Sequence, residues 1–91
     1  MNMKKVIIES LSSEQMEKIG VEQWPIWEKE ISEFDWDYDT DEQCYIIDGE
    51  VHVDTTEGSF HIKPGDFVTF KKGLRCNWKI TKSIRKHYRF L

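Results

Sequence analysis

Glycine-containing turn signals divide the second half of this 91-residue sequence into short stretches of strand-forming residues. The strongest signal is Asp48-Gly49, because an Asp-Gly pair fits the positive φ angles of a two-residue hairpin turn. Further turns are predicted at Glu57-Gly58, Pro64-Gly65-Asp66 and Lys71-Lys72-Gly73. About eight short strands, with turns every ~6–12 residues, are typical of an all-β sandwich or barrel.

One short helix precedes the predicted strands. Ser12 is a favourable N-cap, and Gln15 follows it at the spacing of a capping box. Gly20 fits the position just beyond the helix end, where a left-handed conformation is common. From Trp24 onwards, aromatic and β-branched residues favour strands. The sequence therefore predicts a single domain over residues 1–91, with a helix over residues 12–20 and a barrel over residues 24–91.

Charge is distributed unevenly along the chain. Residues 28–57 carry twelve acidic residues and one lysine, whereas residues 58–91 carry nine basic residues and one aspartate. Strands from the two regions are expected to pair, so that opposite charges face each other across the sheet. The net charge of −4 disfavours a polyanionic partner, and no nucleic-acid partner is predicted.

The length and the cysteine content of the chain bear on its oligomeric state and on its cellular compartment. A domain of this length has a marginal core, so a homodimer is expected. No segment approaches the ~20 apolar residues of a membrane span, and the N-terminal residues lack the features of a secretory signal. Cys44 and Cys76 have no CxxC spacing and are predicted to be reduced thiols. We therefore expect a cytoplasmic protein with no membrane partner.

Two motifs in the strand region resemble those of cupins. Glu42 is followed after six residues by Gly49, as in the second half of the first cupin motif. KPGDFVTFKKG, residues 63–73, resembles the second motif. Over residues 24–91 the chain resembles small single-domain cupins of the RmlC-like superfamily, related to (S)-ureidoglycine aminohydrolase and ethanolamine-utilisation cupin domains. The resemblance implies a jelly-roll β-barrel, so the predicted fold is an all-β cupin barrel preceded by the one short N-terminal helix.

The histidines of a metal-binding cupin are missing from both motifs. The resemblance implies a His-x-His pair, then the glutamate, then a third histidine, and this chain keeps only Glu42. The third histidine position holds Cys76. The first two positions hold Asp35 and Asp37 if four residues precede the glutamate, or Trp36 and Tyr38 if three residues precede it.

The alternation in FDWDY, residues 34–38, favours the second alignment. Its aromatic residues share one face of a strand and its aspartates share the other. Buried aspartates without a cation are costly, so the aromatic face is expected to point into the barrel. The alternative ligand set of Asp37, Glu42 and Cys76 mixes carboxylates with a thiolate and suits no common metal well. No metal or cofactor is predicted, and a divalent metal is the alternative.

Alternation in the last strand brings a lysine into the barrel. Lys86 shares a face with Ile84, Tyr88 and Phe90. A buried lysine needs a counter-charge, and Glu42 is the expected partner. We therefore predict an ion pair inside the barrel, ringed by Trp36, Tyr38, Cys76, Trp78 and Tyr88.

These residues define a candidate site. Glu42, Lys86 and Cys76 are the candidate catalytic residues, because a carboxylate, an ammonium and a thiol can move protons or act as nucleophiles. The alternatives are that the ion pair only ties two strands together and that the thiol is inert. The expected function is binding of a small polar metabolite, with or without catalysis. The second hypothesis is a non-catalytic homodimeric regulatory module. The candidate ligand-binding residues are Trp36, Tyr38, Trp78 and Tyr88.

Overall fold

A computed structural model describes residues 4–91 of the chain, and these residues form one α-helix, one 3₁₀ turn and seven antiparallel strands. Within residues 4–91 no helix is long and apolar enough to cross a membrane. The helix α1 spans Ser13–Ile19 and the 3₁₀ turn spans Val21–Gln23. The strands are β1 (Val6–Glu9), β2 (Ile26–Lys29), β3 (Ser32–Asp37), β4 (Glu42–Thr55), β5 (Gly58–Ile62), β6 (Phe67–Phe70) and β7 (Arg75–Phe90).

The long strands β4 and β7 lie at the centre of the seven-stranded sheet. They pair with each other along most of their lengths. The first part of β4 also pairs with β6, and its second part pairs with β5. In the same way β7 pairs first with β3 and then with β2, while β1 extends the sheet beyond β6. The predicted all-β jelly-roll class is confirmed, although hydrogen bonds do not close the sheet between β1 and β2 within the described residues.

The predicted hairpin turn at Asp48-Gly49 is wrong. Strand β4 continues through both residues, and its register with β7 shifts at a bulge between Ile46 and Val51. Gly49 has a φ of 93°, and a Cβ atom there would lie 2.2 Å from the backbone oxygen of Ser83. The bulge bends β4, and at this bend the backbone of β7 lies directly against the backbone of β4. Only glycine, which has no side chain, fits at this position.

Most of the other local predictions are confirmed. Helix α1 has the predicted reciprocal capping box between Ser12 and Gln15, and Gly20 ends it in a left-handed conformation. Two of the three later turns lie where they were predicted, and the first is shifted by one residue, to Thr56-Glu57, because Gly58 already belongs to β5. Two differences concern strands: β1 joins the sheet ahead of the predicted barrel start at residue 24, and the last two predicted strands form the single strand β7.

One core is shared by the strands of the sheet. It contains residues of β4 from both sides of the bend, so the bend folds this strand over a shared interior. Burial of this apolar surface is the main stabilising contribution, at ~25 cal/mol per Å². Within residues 4–91 the largest fully buried side chains are Val21, Cys44, Ile46, Val51, Val53, Ile62, Val68, Phe70, Ile80 and Ile84.

The uneven charge distribution produces the expected ion pairs between strands. Glu28 of β2 accepts a contact from Arg85 of β7 at 3.1 Å. Glu50 of β4 lies 3.3 Å from Lys82, also on β7. Opposite charges that face each other across a sheet stabilise strand pairing modestly. The acidic and basic regions of the sequence are thus complementary within one fold.

Candidate functional site

An open cavity of about 200 Å³ lies beside the core, with walls that are mostly aromatic. Strand β7 contributes four of its residues, all at even-numbered positions on one face of the strand. Strands β2, β3 and β4 and the segment between β3 and β4 supply the others. The lining residues are Trp27, Phe34, Trp36, Tyr38, Glu42, Trp78, Lys86, Tyr88 and Phe90.

The predicted ion pair between Glu42 and Lys86 is present at the inner end of this cavity. Lys86 Nζ donates to Glu42 Oε2 at 2.8 Å, and each side chain is only 6% exposed. The two residues belong to the paired strands β4 and β7. Removing both charges from water is costly, so a short hydrogen bond between them is needed to offset the loss of hydration.

Two indole rings complete the surroundings of Lys86. Its Nζ lies 5.0 Å from the ring centroid of Trp27 and 4.8 Å from that of Trp78. A cation over the face of an indole is attracted by the ring's negative quadrupole, and more strongly where water is excluded. The ammonium is therefore held by one carboxylate and two aromatic faces.

The aromatic face of β3 points to the cavity, as predicted. Trp36 and Tyr38 both line it, whereas Asp35 and Asp37 are exposed. Tyr38 stacks on the core residue Phe70 with ring centroids 4.8 Å apart. The two faces of the chain at the His-x-His position are thus distinguished by their contact with the cavity, and aromatic side chains occupy the face that lines it.

The mouth of the cavity is bordered by two large apolar side chains. Trp36 is 49% exposed and Phe90 is 59% exposed. If these aromatic side chains closed the mouth by packing against each other, both rings would be buried. The mouth is therefore accessible to a small molecule.

Tyr38 supplies a neutral hydroxyl near the ion pair. Burial raises the pKa of Tyr38 far above its usual value, and the nearby negative charge of Glu42 raises it further. The phenol therefore stays protonated and can donate or accept a hydrogen bond.

Cys76 is not brought to the Glu42–Lys86 pair. It does not line the cavity, and its Sγ donates to the backbone oxygen of Trp36 at 3.4 Å. Burial raises the pKa of the Cys76 thiol to about 11, and burial raises that of Cys44 to about 11 as well. A protonated thiol is a poor nucleophile, so the convergence predicted for Cys76 is corrected: this thiol lies apart from the site.

The donor set does not fit the metal of metal-binding cupins. Of the motif's ligand positions, the cavity retains only Glu42, whose carboxylate is already bonded to the Lys86 ammonium. A divalent cation beside that ammonium would be repelled. Within residues 4–91, no group of three or more histidine, cysteine or acidic side chains is arranged to hold a metal ion.

Three cavity residues were not identified as ligand-binding residues from the sequence. Trp27 lies opposite Lys86 in the pairing of β2 with β7, a long-range contact that no local pattern indicates. Phe34 stacks on Trp78 with centroids 6.1 Å apart, and Phe90 borders the mouth. The alternation in FDWDY and in the last strand placed both phenylalanines on the correct faces, and that signal could have identified them.

Comparison with known proteins identifies relatives of this fold and sequence. The sequence model of a family described as the EutQ-like cupin domain matches residues 16–88. A crystal structure of a DUF861 family protein from Thermotoga maritima is 54% identical, with a TM-score of 0.91. That match covers 94% of this chain and 99% of the other chain. No curated protein sequence matched.

Two ethanolamine-utilisation proteins share the fold at lower identity. A putative ethanolamine utilisation protein Q from Salmonella typhimurium is 22% identical, with a TM-score of 0.65 over 93% of this chain and 68% of the other. The Clostridium difficile EutQ protein is 21% identical, with a TM-score of 0.67 over 93% and 66% of the two chains. The predicted resemblance to cupin domains of ethanolamine utilisation is therefore confirmed at the level of family and fold.

Proposed function

Because the chain belongs to the EutQ-like cupin domain family, we propose that it binds a small molecule in the cavity beside Glu42 and Lys86. The observation that carries this proposal is a buried ion pair at the inner end of an accessible, aromatic-walled cavity. Ligand sites are commonly concave and mostly apolar, with a few polar groups that fix the orientation of the ligand.

The walls and the ion pair have separate roles in this proposal. The rings of Trp36, Tyr38 and Tyr88 bury the apolar or planar surface of the ligand, while the ion pair contacts its polar group. Any reaction catalysed there would use Glu42 as the proton acceptor and Lys86 as a fixed positive charge. Cys76 has no role in the proposal, because its thiol lies outside the cavity.

Within residues 4–91 the side chains around Glu42 form no group that could hold a metal ion, so metal-dependent hydrolysis is not proposed. The Glu42 carboxylate is already paired, so we derive no step through a metal ion. Hydrolysis of a ureido compound, which the resemblance to ureidoglycine aminohydrolase implies, is not part of the proposal.

A cytoplasmic homodimer is proposed as the form that carries out this function. Ile26 of β2 and Ile31, in the connection to β3, are exposed apolar side chains beside an outer edge of the sheet. Exposed apolar residues beside a strand edge favour association with a second copy. Light scattering of the purified protein measures the number of chains directly.

Removing a wall at the cavity mouth tests the proposed binding site. We expect Trp36→Ala to weaken the binding of fragments found by a saturation-transfer NMR screen about tenfold or more, because stacking area is lost. The side chain is half-exposed, so the fold is expected to tolerate the change. Ile8→Ala, at an exposed apolar residue of β1 outside the cavity, is the matched control and should bind as the parent does. Equal affinity in both variants would contradict the proposal.

A further inference from the structure

The hydrogen bonds inside the cavity leave one carboxylate oxygen unused. Glu42 Oε2 accepts from Lys86, but Glu42 Oε1 makes no hydrogen bond with any residue of the described chain, 4–91. Among the side-chain nitrogen and oxygen atoms of residues 4–91, Trp78 Nε1 is the one that is both fully buried and without a hydrogen-bond partner. Glu42 Oε1 also has no partner, so it is not fully buried and remains in contact with the open space of the cavity. A strong acceptor therefore faces the cavity.

The Lys86 ammonium, by contrast, has little capacity left for a ligand. One of its three N–H groups donates to Glu42, and two indole faces lie within 5.0 Å of the nitrogen. A ligand that sought a donor from Lys86 would have to displace these contacts. The polar group that a ligand meets first is thus an acceptor, together with the Tyr38 hydroxyl at the cavity wall.

Charge balance restricts the ligand further. The carboxylate and the ammonium cancel, so the lined cavity holds no net charge. An anionic ligand would face the free carboxylate oxygen, and a cationic ligand would add a second positive charge beside Lys86. Either charge would also lose its hydration in a mostly apolar space. A neutral ligand avoids both costs.

Size and wall chemistry define its shape. The cavity of about 200 Å³ is smaller than the ~300–1,000 Å³ of sites for drug-sized molecules. Its walls are aromatic rings, which favour a flat apolar partner by stacked or edge-to-face contact. We propose that the ligand is a small, neutral, planar molecule that donates an O–H or N–H group to Glu42 Oε1, as phenols and N–H heteroaromatics do. This inference rests on the proposed binding function and names its ligand class.

Four probes of similar size test the inference at neutral pH. Phenol carries the neutral donor, anisole has that donor methylated, benzoate is an anion and benzylammonium is a cation. Calorimetric titration should give phenol an affinity about tenfold or more above anisole, because a hydrogen bond to a charged acceptor is lost in anisole. Benzoate and benzylammonium should bind more weakly than phenol. Equal binding of phenol and anisole would overturn the inference, and so would a charged probe that binds more tightly than phenol.

A double variant without charges distinguishes the hydrogen bond from the ligand to Glu42 Oε1 from ligand binding in the cavity as such. Glu42→Met/Lys86→Met removes the acceptor and both charges, so the preference for phenol over anisole should fall to about twofold or less while anisole still binds. Glu50→Gln/Lys82→Met removes an exposed pair between the same two strands and should leave the preference unchanged. An unchanged preference in the first variant would overturn the inference but not the binding function. If no probe or screened fragment binds the parent protein, both proposals fail.

Discussion

Glu42 and Lys86 have the same charges as Glu50 and Lys82, and both pairs join strand β4 to β7. Their surroundings differ. The first pair is 6% exposed on each side chain and the second is 30% and 69% exposed. Water can replace a lost partner at the surface but not in the interior, so the two pairs should respond very differently to the same substitution.

Glu42→Gln should lower the free energy of unfolding by about 3–5 kcal/mol, because it leaves the Lys86 ammonium buried without a counter-charge. Glu42→Met/Lys86→Met should recover most of this loss. Urea unfolding monitored by circular dichroism measures both. Glu50→Gln is the matched surface control and should move the unfolding midpoint far less. Similar shifts for Glu42→Gln and Glu50→Gln would show that the inner pair is hydrated.

At the residue level, the sequence predicted the ion pair between Glu42 and Lys86 correctly, but it did not predict that the Cys76 thiol lies outside the cavity. Lys86 was expected inside because it alternates with apolar residues, and a buried lysine requires an acid. Cys76 shares that face of β7, but its side chain packs in the core, where its Sγ donates to the backbone oxygen of Trp36, and it does not line the cavity. Alternation predicts the face of a strand, whereas the position relative to a cavity depends on bends that sequence periodicity does not encode.

At the level of secondary-structure elements, the bend at the bulge of β4, between Ile46 and Val51, separates the two pairing regions of this strand. Before the bend β4 pairs with β6, after it β4 pairs with β5, and both parts contribute side chains to one core. Gly49 makes the bend possible, because a side chain there would overlap the backbone of Ser83 and Ile84. Bulges that re-aim a strand are common where sheets curve.

Gly49→Ala should therefore destabilise the fold by more than Gly65→Ala. Both glycines have nearly the same φ, 93° and 91°, so both substitutions carry the strain of a positive φ. A Cβ at Gly65 has no atom within 4 Å, whereas one at Gly49 meets β7 at 2.2 Å. We expect a cost of about 1 kcal/mol for Gly65→Ala and about 3 kcal/mol or more for Gly49→Ala, measured by thermal unfolding. Equal costs would contradict the close approach of β4 and β7.

The bend also explains why some elements could be predicted and others could not. Helix α1 was predicted within one residue at each end because Ser12, Gln15 and Gly20 act locally. The Asp48-Gly49 pair, by contrast, is compatible both with a tight hairpin turn and with a bulge in which the glycine has a positive φ. The choice between them depends on the part of β7 that lies against Gly49, at Ser83 and Ile84, which is more than thirty residues further along the chain and is not indicated by any local pattern.

At the level of the whole molecule, the cavity is formed by residues that are distant in sequence. Trp27 on β2 and Trp78 on β7 enclose the same ammonium. The sequence predicted the aromatic face of β3 and the inner face of β7, but the pairing of β2 with β7 is a long-range feature, so Trp27 was not assigned to the site. The four tryptophans now divide into three that line the cavity and Trp24, which packs against Arg89 and Phe67 instead.

This division provides the most direct test of the central claim that the cavity is a ligand site. Nitrogen-15 NMR resolves one indole N–H signal for each tryptophan, and Trp→Phe variants assign the signals. On titration with phenol, we predict that the signals of Trp27, Trp36 and Trp78 shift together with one saturation curve, while the Trp24 signal stays in place. A shift confined to Trp24, or no shift with phenol or with any screened fragment, would contradict the account.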